Sequence, residues 1–121
     1  MNLLKKIKMY QEKEEKALRY NEGKLEWNLI DFKSLEPLVK TLMYGKNKYT
    51  KNGVSGADNW KKGMDPKKIL DSLLRHVTAL SDGEEVDPES GELHVGAIFA
   101  NALFYSYYTY TEEGKSKIIK E

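Results

Sequence analysis

ELHVGAIFANALFYSYYTYT, residues 92–111, decides the fold. At about 100° per residue, Val95, Ala97, Phe99, Ala100, Ala102, Leu103 and Phe104 cover all directions but one. His94, Asn101, Tyr105 and Tyr108 fall within about 40° of the remaining line. A helix apolar on nearly every side is expected to be buried. Its polar stripe must then find partners, at a cost of about 1–3 kcal/mol per group left unpaired. Directly before it, GEEVDPESG (83–91) packs Glu84, Glu85, Asp87 and Glu89 into a turn punctuated by Gly and Pro. Two readings stand side by side. One is a site for a cation and a polar ligand; the other is an acidic surface turn leading into a core helix whose His and Asn bond to neighbouring backbone.

Working outward, Asp65-Pro66 supplies an N-cap and a proline at the first helical position. Helix three follows, with Ile69, Leu70, Leu73, Leu74, Val77 and Leu80 on one arc and His76 just beside it. Asp71 and Arg75 lie opposite, either as an exposed i,i+4 pair or as contacts for a ligand or second subunit. Asp82-Gly83 stops this helix. Helix two begins in Asp31–Ser34, carries Pro37 in its first turn and is expected to reach Met43–Tyr44, burying Leu35, Leu38, Val39, Leu42 and Met43. Glu36 sits at the apolar margin, where it either aims at an interhelical metal site or complements the helix start and Lys40.

Residues 45–65 read as a long loop, rich in Gly, Asn and Lys. Tyr49 and Trp60 could stack on a base while Lys46, Lys48, Lys61 and Lys62 hold phosphates; otherwise the loop is a lysine-rich surface pinned by one buried Trp. Residues 2–18 form a charged helical arm with an incomplete stripe of Leu3, Leu4, Ile7, Tyr10, Ala17 and Leu18. In the turn after it, Arg19, Asn21 and Lys24 surround Gly23, as a phosphate cradle or as a plain turn with solvated charges. Glu92 is expected in the first turn of helix four. Gly114 and a basic tail (112–121) close the chain. Tyr105, Tyr107, Tyr108 and Tyr110 are too many for one small core and point to a subunit interface. With no strand-period segment, the expectation is a single all-α domain over 1–121: three main helices plus an N-terminal one, completed by oligomerisation.

Composition narrows the partners. Twenty Lys+Arg against 19 Asp+Glu give a net charge of +1, without the basic excess that general nucleic-acid binding requires. Cysteine is absent, which removes disulfides and thiolate metal sites. No stretch approaches the roughly 20 apolar residues of a membrane span, and no secretory signal is evident, so a soluble cytoplasmic protein is expected.

There is no P-loop, dinucleotide fingerprint, Gly-x-Ser-x-Gly elbow or adjacent His-Asp pair. Oxygen chemistry remains, on Glu36, Asp71, Glu84, Asp87 and Glu89. Hard carboxylates suit Mg²⁺, or Mn²⁺ in its place. His is a poor Mg²⁺ ligand, so His76 and His94 are expected to meet phosphate or orient the attacking water.

RYNEGKLEW (19–27), SLEPLVKTLMYGKNKY (34–49), DNWKKGM (58–64), LLRH (73–76), GEEVDPESGELH (83–94) and Asn101 together resemble the phage dATP/dGTP diphosphohydrolase family, related to MazG-like all-α NTP pyrophosphatases. The resemblance covers residues 18 to about 104. It implies Mg²⁺-dependent hydrolysis of a purine deoxynucleoside triphosphate to the monophosphate and pyrophosphate, in the host cytoplasm. Carried onto this chain, it implies metal ligands among Glu36, Glu84, Asp87 and Glu89. Arg19, Asn21, Lys24, Lys48 and Arg75 would bind phosphates. Asn59, Trp60 and Asn101 would meet the nucleoside, with His76 and His94 as catalytic, water-orienting groups. The chain departs from the ExxE and ExxD helices of the wider group: Glu36 is followed at i+3 by Val39, and Glu84–Asp87 lies in a turn. A protein that sequesters a signalling nucleotide without cleaving it is therefore the rival reading, and a purely structural assembly protein a third.

Overall fold

The computed structural model describes residues 2–121, and the side chains of all of these except 10–15, so the part played by Tyr10 in the first apolar stripe lies outside the described residues. The chain divides into two compact units, Met1–Ile30 and Asp31–Glu121. The first holds α1 (Leu3–Glu15), capped by the Asn2 side chain, which accepts from Lys5 N at 2.9 Å. It then runs through a turn at Gly23 (φ +76°) to a short 3₁₀ turn at Trp27–Leu29.

The second unit contains α2 (Glu36–Tyr49), α3 (Pro66–Ser81), α4 (His94–Tyr110) and α5 (Glu112–Lys115). Among the described residues there is no strand, only isolated bridges. The domain is all-α. As its composition requires, α4 is the central helix and packs on α3, α2 and α5. Gly96 permits the approach of α2: a Cβ there would collide with the Pro37 carbonyl and the Thr41 hydroxyl.

The aromatic half of α4 makes the core. Trp60 stacks on Phe104 (centroids 4.8 Å) and meets Tyr107 edge-on, while Tyr107 packs edge-on against the fully buried Tyr108. The Tyr108 hydroxyl donates to Trp60 O (2.6 Å) and accepts from Gly63 N (3.0 Å), so one buried phenol satisfies two groups of the 59–63 turn. Two of the four tyrosines of 105–110, Tyr107 and Tyr108, are thereby packed inside the chain, whereas Tyr110 is 81 % exposed.

Two boundaries and the exposure of five apolar side chains also differ from the sequence reading. Helix two continues through Gly45 to Tyr49, because one glycine costs only about 1 kcal/mol against continued helical bonding. It ends where the Thr50 hydroxyl donates to Lys46 O and accepts from Gly56 N. Glu92 lies before α4, since its carbonyl is used by Asp87 N in the preceding turn. Val39, Met43, Leu70, Leu74 and Val77, expected to be buried, are 38–59 % exposed, because α4 covers only one side of α2 and α3. The basic tail is pinned as well: Ile119 N donates to Met64 O and Glu121 N to the Asp65 carboxylate.

Tyr108→Phe should lower stability by about 1–3 kcal/mol in urea denaturation, because it strands two backbone partners; Tyr110→Phe should leave the midpoint unchanged. Asp65 yields a pH test. Hydrogen bonds from Glu121 N and Lys67 N hold its carboxyl below the usual carboxylate range. A depressed folded value means the contribution is present above the unfolded value of about 3.9 and is lost as pH falls through the folded one. The melting-temperature gap between wild type and Asp65→Asn should therefore close as the solution is acidified below about pH 4.

Candidate functional site

Helix α3 ends in a Schellman turn. Gly83 adopts φ +95°, its N–H donating to Leu80 O, and Glu84 N donates to Ala79 O. The acidic segment then folds back on itself. Asp87 N donates to Glu92 O (2.8 Å), Gly91 N to Asp87 O (2.8 Å) and His94 N to Glu85 O (2.9 Å), around an antiparallel bridge between Val86 and Leu93. Asp87 shapes this turn with its own carboxylate, whose Oδ1 accepts from Glu89 N (3.0 Å) and Oδ2 from Ser90 Oγ (3.3 Å). Asp-Pro favours such a turn because the aspartate oxygens bond backbone two residues on.

The result is a strap that sets Glu84 and Asp87 around the first residue of α4. His94 is 4 % exposed and bonded through both ring nitrogens: Nε2 to Glu84 Oε1 at 2.8 Å, and Nδ1 to His76 Nδ1 at 2.8 Å. His76, Asp87 and His94 each bring a ligand-capable atom within 4.8 Å of the others. Burial pushes the His76 imidazole below its ordinary value, against the opposing pull of Asp87. A neutral ring in such a setting can accept a proton or bind an electrophile.

A second feature carries basic side chains. Lys48, Tyr49, Lys51, Asn59 and Lys62 line a cleft of about 640 Å³ at the end of α2, within the size range of small-ligand sites. Lys48 also faces Glu89 Oε1 at 3.8 Å, and Glu89 is bonded through its N–H to Asp87. The Lys48–Glu89 ion pair thus links one edge of the cleft to the turn that holds Asp87.

Of the residues expected from sequence, His76, His94, Glu84 and Asp87 come together, and Lys48 and Asn59 share the cleft. Trp60 is given to the core, its faces taken by Phe104 and by Lys61 Nζ at 5.2 Å. Asn101 is buried and donates to Ala97 O on its own helix (2.9 Å). Arg75 lies with Asp71 in a groove on the outer side of α3. Glu36 is exposed in the first turn of α2 and Glu89 is exposed beside Lys48. Arg19, Asn21 and Lys24 are exposed in the first unit, where Lys24 N closes a turn on Asn21 O. Lys51 and Ser90 were not singled out from sequence. Lys51 stood in an unreadable loop, and the hydroxyl of Ser90 matters only once the turn has closed.

The donor set does not fit Mg²⁺ as a resident ion. Mg²⁺ selects oxygen at near-ideal octahedral geometry, whereas two of the three converging groups are imidazoles. Glu84 is engaged with the far nitrogen of His94, and Glu36 and Glu89 stand outside the cluster.

Residues 14–117 match the family model described as dATP/dGTP diphosphohydrolase, N-terminal. The chain belongs to the dATP/dGTP diphosphohydrolase family. A member from Salmonella phage PMBT28, named dATP/dGTP diphosphohydrolase, is 31 % identical over 92 residues. That alignment takes in 76 % of this chain but only 29 % of the relative, so the chain spans less than a third of its length. No solved structure matches the chain. The family's aligned region contains the strap, the histidine pair and the lysine cleft.

The site yields a direct expectation about proton placement. A carboxylate can only accept, so His94 Nε2 carries the hydrogen and Nδ1 is the lone-pair nitrogen facing His76. Long-range ¹H–¹⁵N correlation spectra should show His94 as the Nε2–H tautomer; an Nδ1–H tautomer would contradict the geometry.

Proposed function

We propose that this domain hydrolyses a purine deoxynucleoside triphosphate to the monophosphate and pyrophosphate. The observation that carries the reading is the lysine cleft set against the histidine cluster by Lys48 and Glu89. The dATP/dGTP diphosphohydrolase named from the phage supports the substrate class. Lys48, Lys51 and Lys62 neutralise the polyphosphate, with Asn59 and Tyr49 toward the nucleoside. The Mg²⁺ expected from sequence enters in this reading as the counter-ion of the triphosphate. His76, Asp87 and His94 hold the attacking water at the mouth of the cleft, and Glu84 orients His94. Holding three groups in place before reaction removes much of the entropic cost of assembling the attack.

Self-association belongs to the same reading. Val39 and Met43 on α2 and Leu74 on α3 are half-exposed or more, which a second copy would cover. No helix among the described residues is long and apolar enough to cross a membrane. The phage origin of the relative supports a reaction in the host cytoplasm.

The test is incubation with each of the four deoxynucleoside triphosphates and Mg²⁺, followed by chromatography of the products. Purine monophosphate and pyrophosphate are expected in equal amounts. Bound but intact triphosphate, recovered after denaturation, would instead favour sequestration, a rival that the outlying positions of Glu36 and Glu89 keep open. Lys48→Ala should raise KM about tenfold, near the loss of one charged hydrogen bond, with a smaller effect on kcat. Asp87→Ala should abolish turnover.

A further inference from the structure

We propose that His76, Asp87 and His94 form a binding site for a first-row transition-metal ion, of the class that includes Zn²⁺, Co²⁺ and Fe²⁺, with Glu84 as the positioning residue for His94. The coordination chemistry of these donors carries the site whether or not nucleotide is cleaved. The three donors come from three separate segments: His76 from α3, Asp87 from the strap and His94 from the first position of α4. The set contains both nitrogen and oxygen, which suits borderline cations and disfavours Mg²⁺ and Ca²⁺.

The second observation is the far side of His94. A metal-binding imidazole nearly always donates its other N–H to a carboxylate or carbonyl, which fixes the tautomer and aims the lone pair. His94 shows this arrangement, with Nε2 held by Glu84 Oε1 at 2.8 Å and Nδ1 turned toward His76 and away from solvent. A proton shared between the two Nδ1 atoms would hold the pair together without metal. Binding of a cation would replace that bridge: the bridging hydrogen leaves His76 Nδ1, the ring takes its Nε2–H tautomer, and both Nδ1 lone pairs face the ion. Asp87 retains capacity to join them. Its oxygens accept one hydrogen bond each within the turn, leaving lone pairs free. Three protein ligands leave positions open for water or an incoming oxygen, the pattern of reactive rather than purely structural metal sites.

The experiment is Co²⁺ titration of EDTA-treated, dialysed protein, read by visible d–d absorption and by metal analysis after gel filtration, with no nucleotide present. One Co²⁺ per chain is expected, displaced by Zn²⁺ and unaffected by a large excess of Mg²⁺. His76→Ala and Asp87→Asn should abolish the spectrum. Glu84→Gln should weaken binding about 10–100-fold, as loss of an outer carboxylate does elsewhere. Glu84 is about half exposed, so this variant keeps the test meaningful if a ligand variant fails to fold; circular dichroism identifies such a failure. Absence of Co²⁺ absorption in the folded wild type, or absorption that survives in folded His76→Ala or is unchanged in Glu84→Gln, would overturn the assignment. The two readings fail separately. Cleavage without Co²⁺ binding rejects only the metal site, and Co²⁺ binding without cleavage rejects only the hydrolase.

Discussion

The structure depends on covering α4 without stranding its polar side chains. An apolar helix with His94, Asn101, Tyr105 and Tyr108 along one line is stable in the interior only if each buried polar atom is answered. Each solution has a different reach. Asn101 turns back to its own helix, Tyr108 takes two backbone groups of the 59–63 turn, and His94 takes side chains from α3 and from the strap. The first is local, the second ties a loop to the core, and the third builds a site. A single helix thereby positions the whole second unit.

The strap supplies the electrostatic character of that site. Its acids share a segment but not an environment. Glu84 is spent on His94, Asp87 stands half-buried beside the imidazoles and Glu89 reaches outward to Lys48. Close carboxylates would repel one another if all turned inward, and the alternating bonds of the turn separate them. The lysine cleft at the end of α2 balances this negative charge. A polyanion drawn to the cleft would be met at its edge by groups able to hold water or a cation.

Membership of the dATP/dGTP diphosphohydrolase family and the donor set of the cluster bear on different matters. Family membership supports the substrate class proposed for the cleft. The paired imidazoles bear on the kind of ion proposed for the cluster, and they depart from an all-oxygen donor set. The relative is far longer than this chain.

Helix existence was legible in the sequence because it is set by short-range periodicity and by local stop and start chemistry: Asp65-Pro66 before α3, Asp82-Gly83 after it, and the near-continuous apolar run of α4. The central position of α4 followed from the same run, but Ala102, Leu103 and Tyr110 on its outer side are exposed. The inward line carrying His94, and the place of His76 beside its apolar arc, were readable too, and so was the acidic turn. What only tertiary structure decided was how they meet. His76 and His94 are 18 residues apart, and their contact depends on the crossing of α3 with α4 and on hydrogen bonds that fold the strap back upon itself. Trp60 likewise passed from possible base platform to core, because only the packed structure shows what occupies its faces. Periodicity fixes which side of a helix is apolar; which neighbour covers that side, and which polar groups it brings, is a property of the assembled bundle.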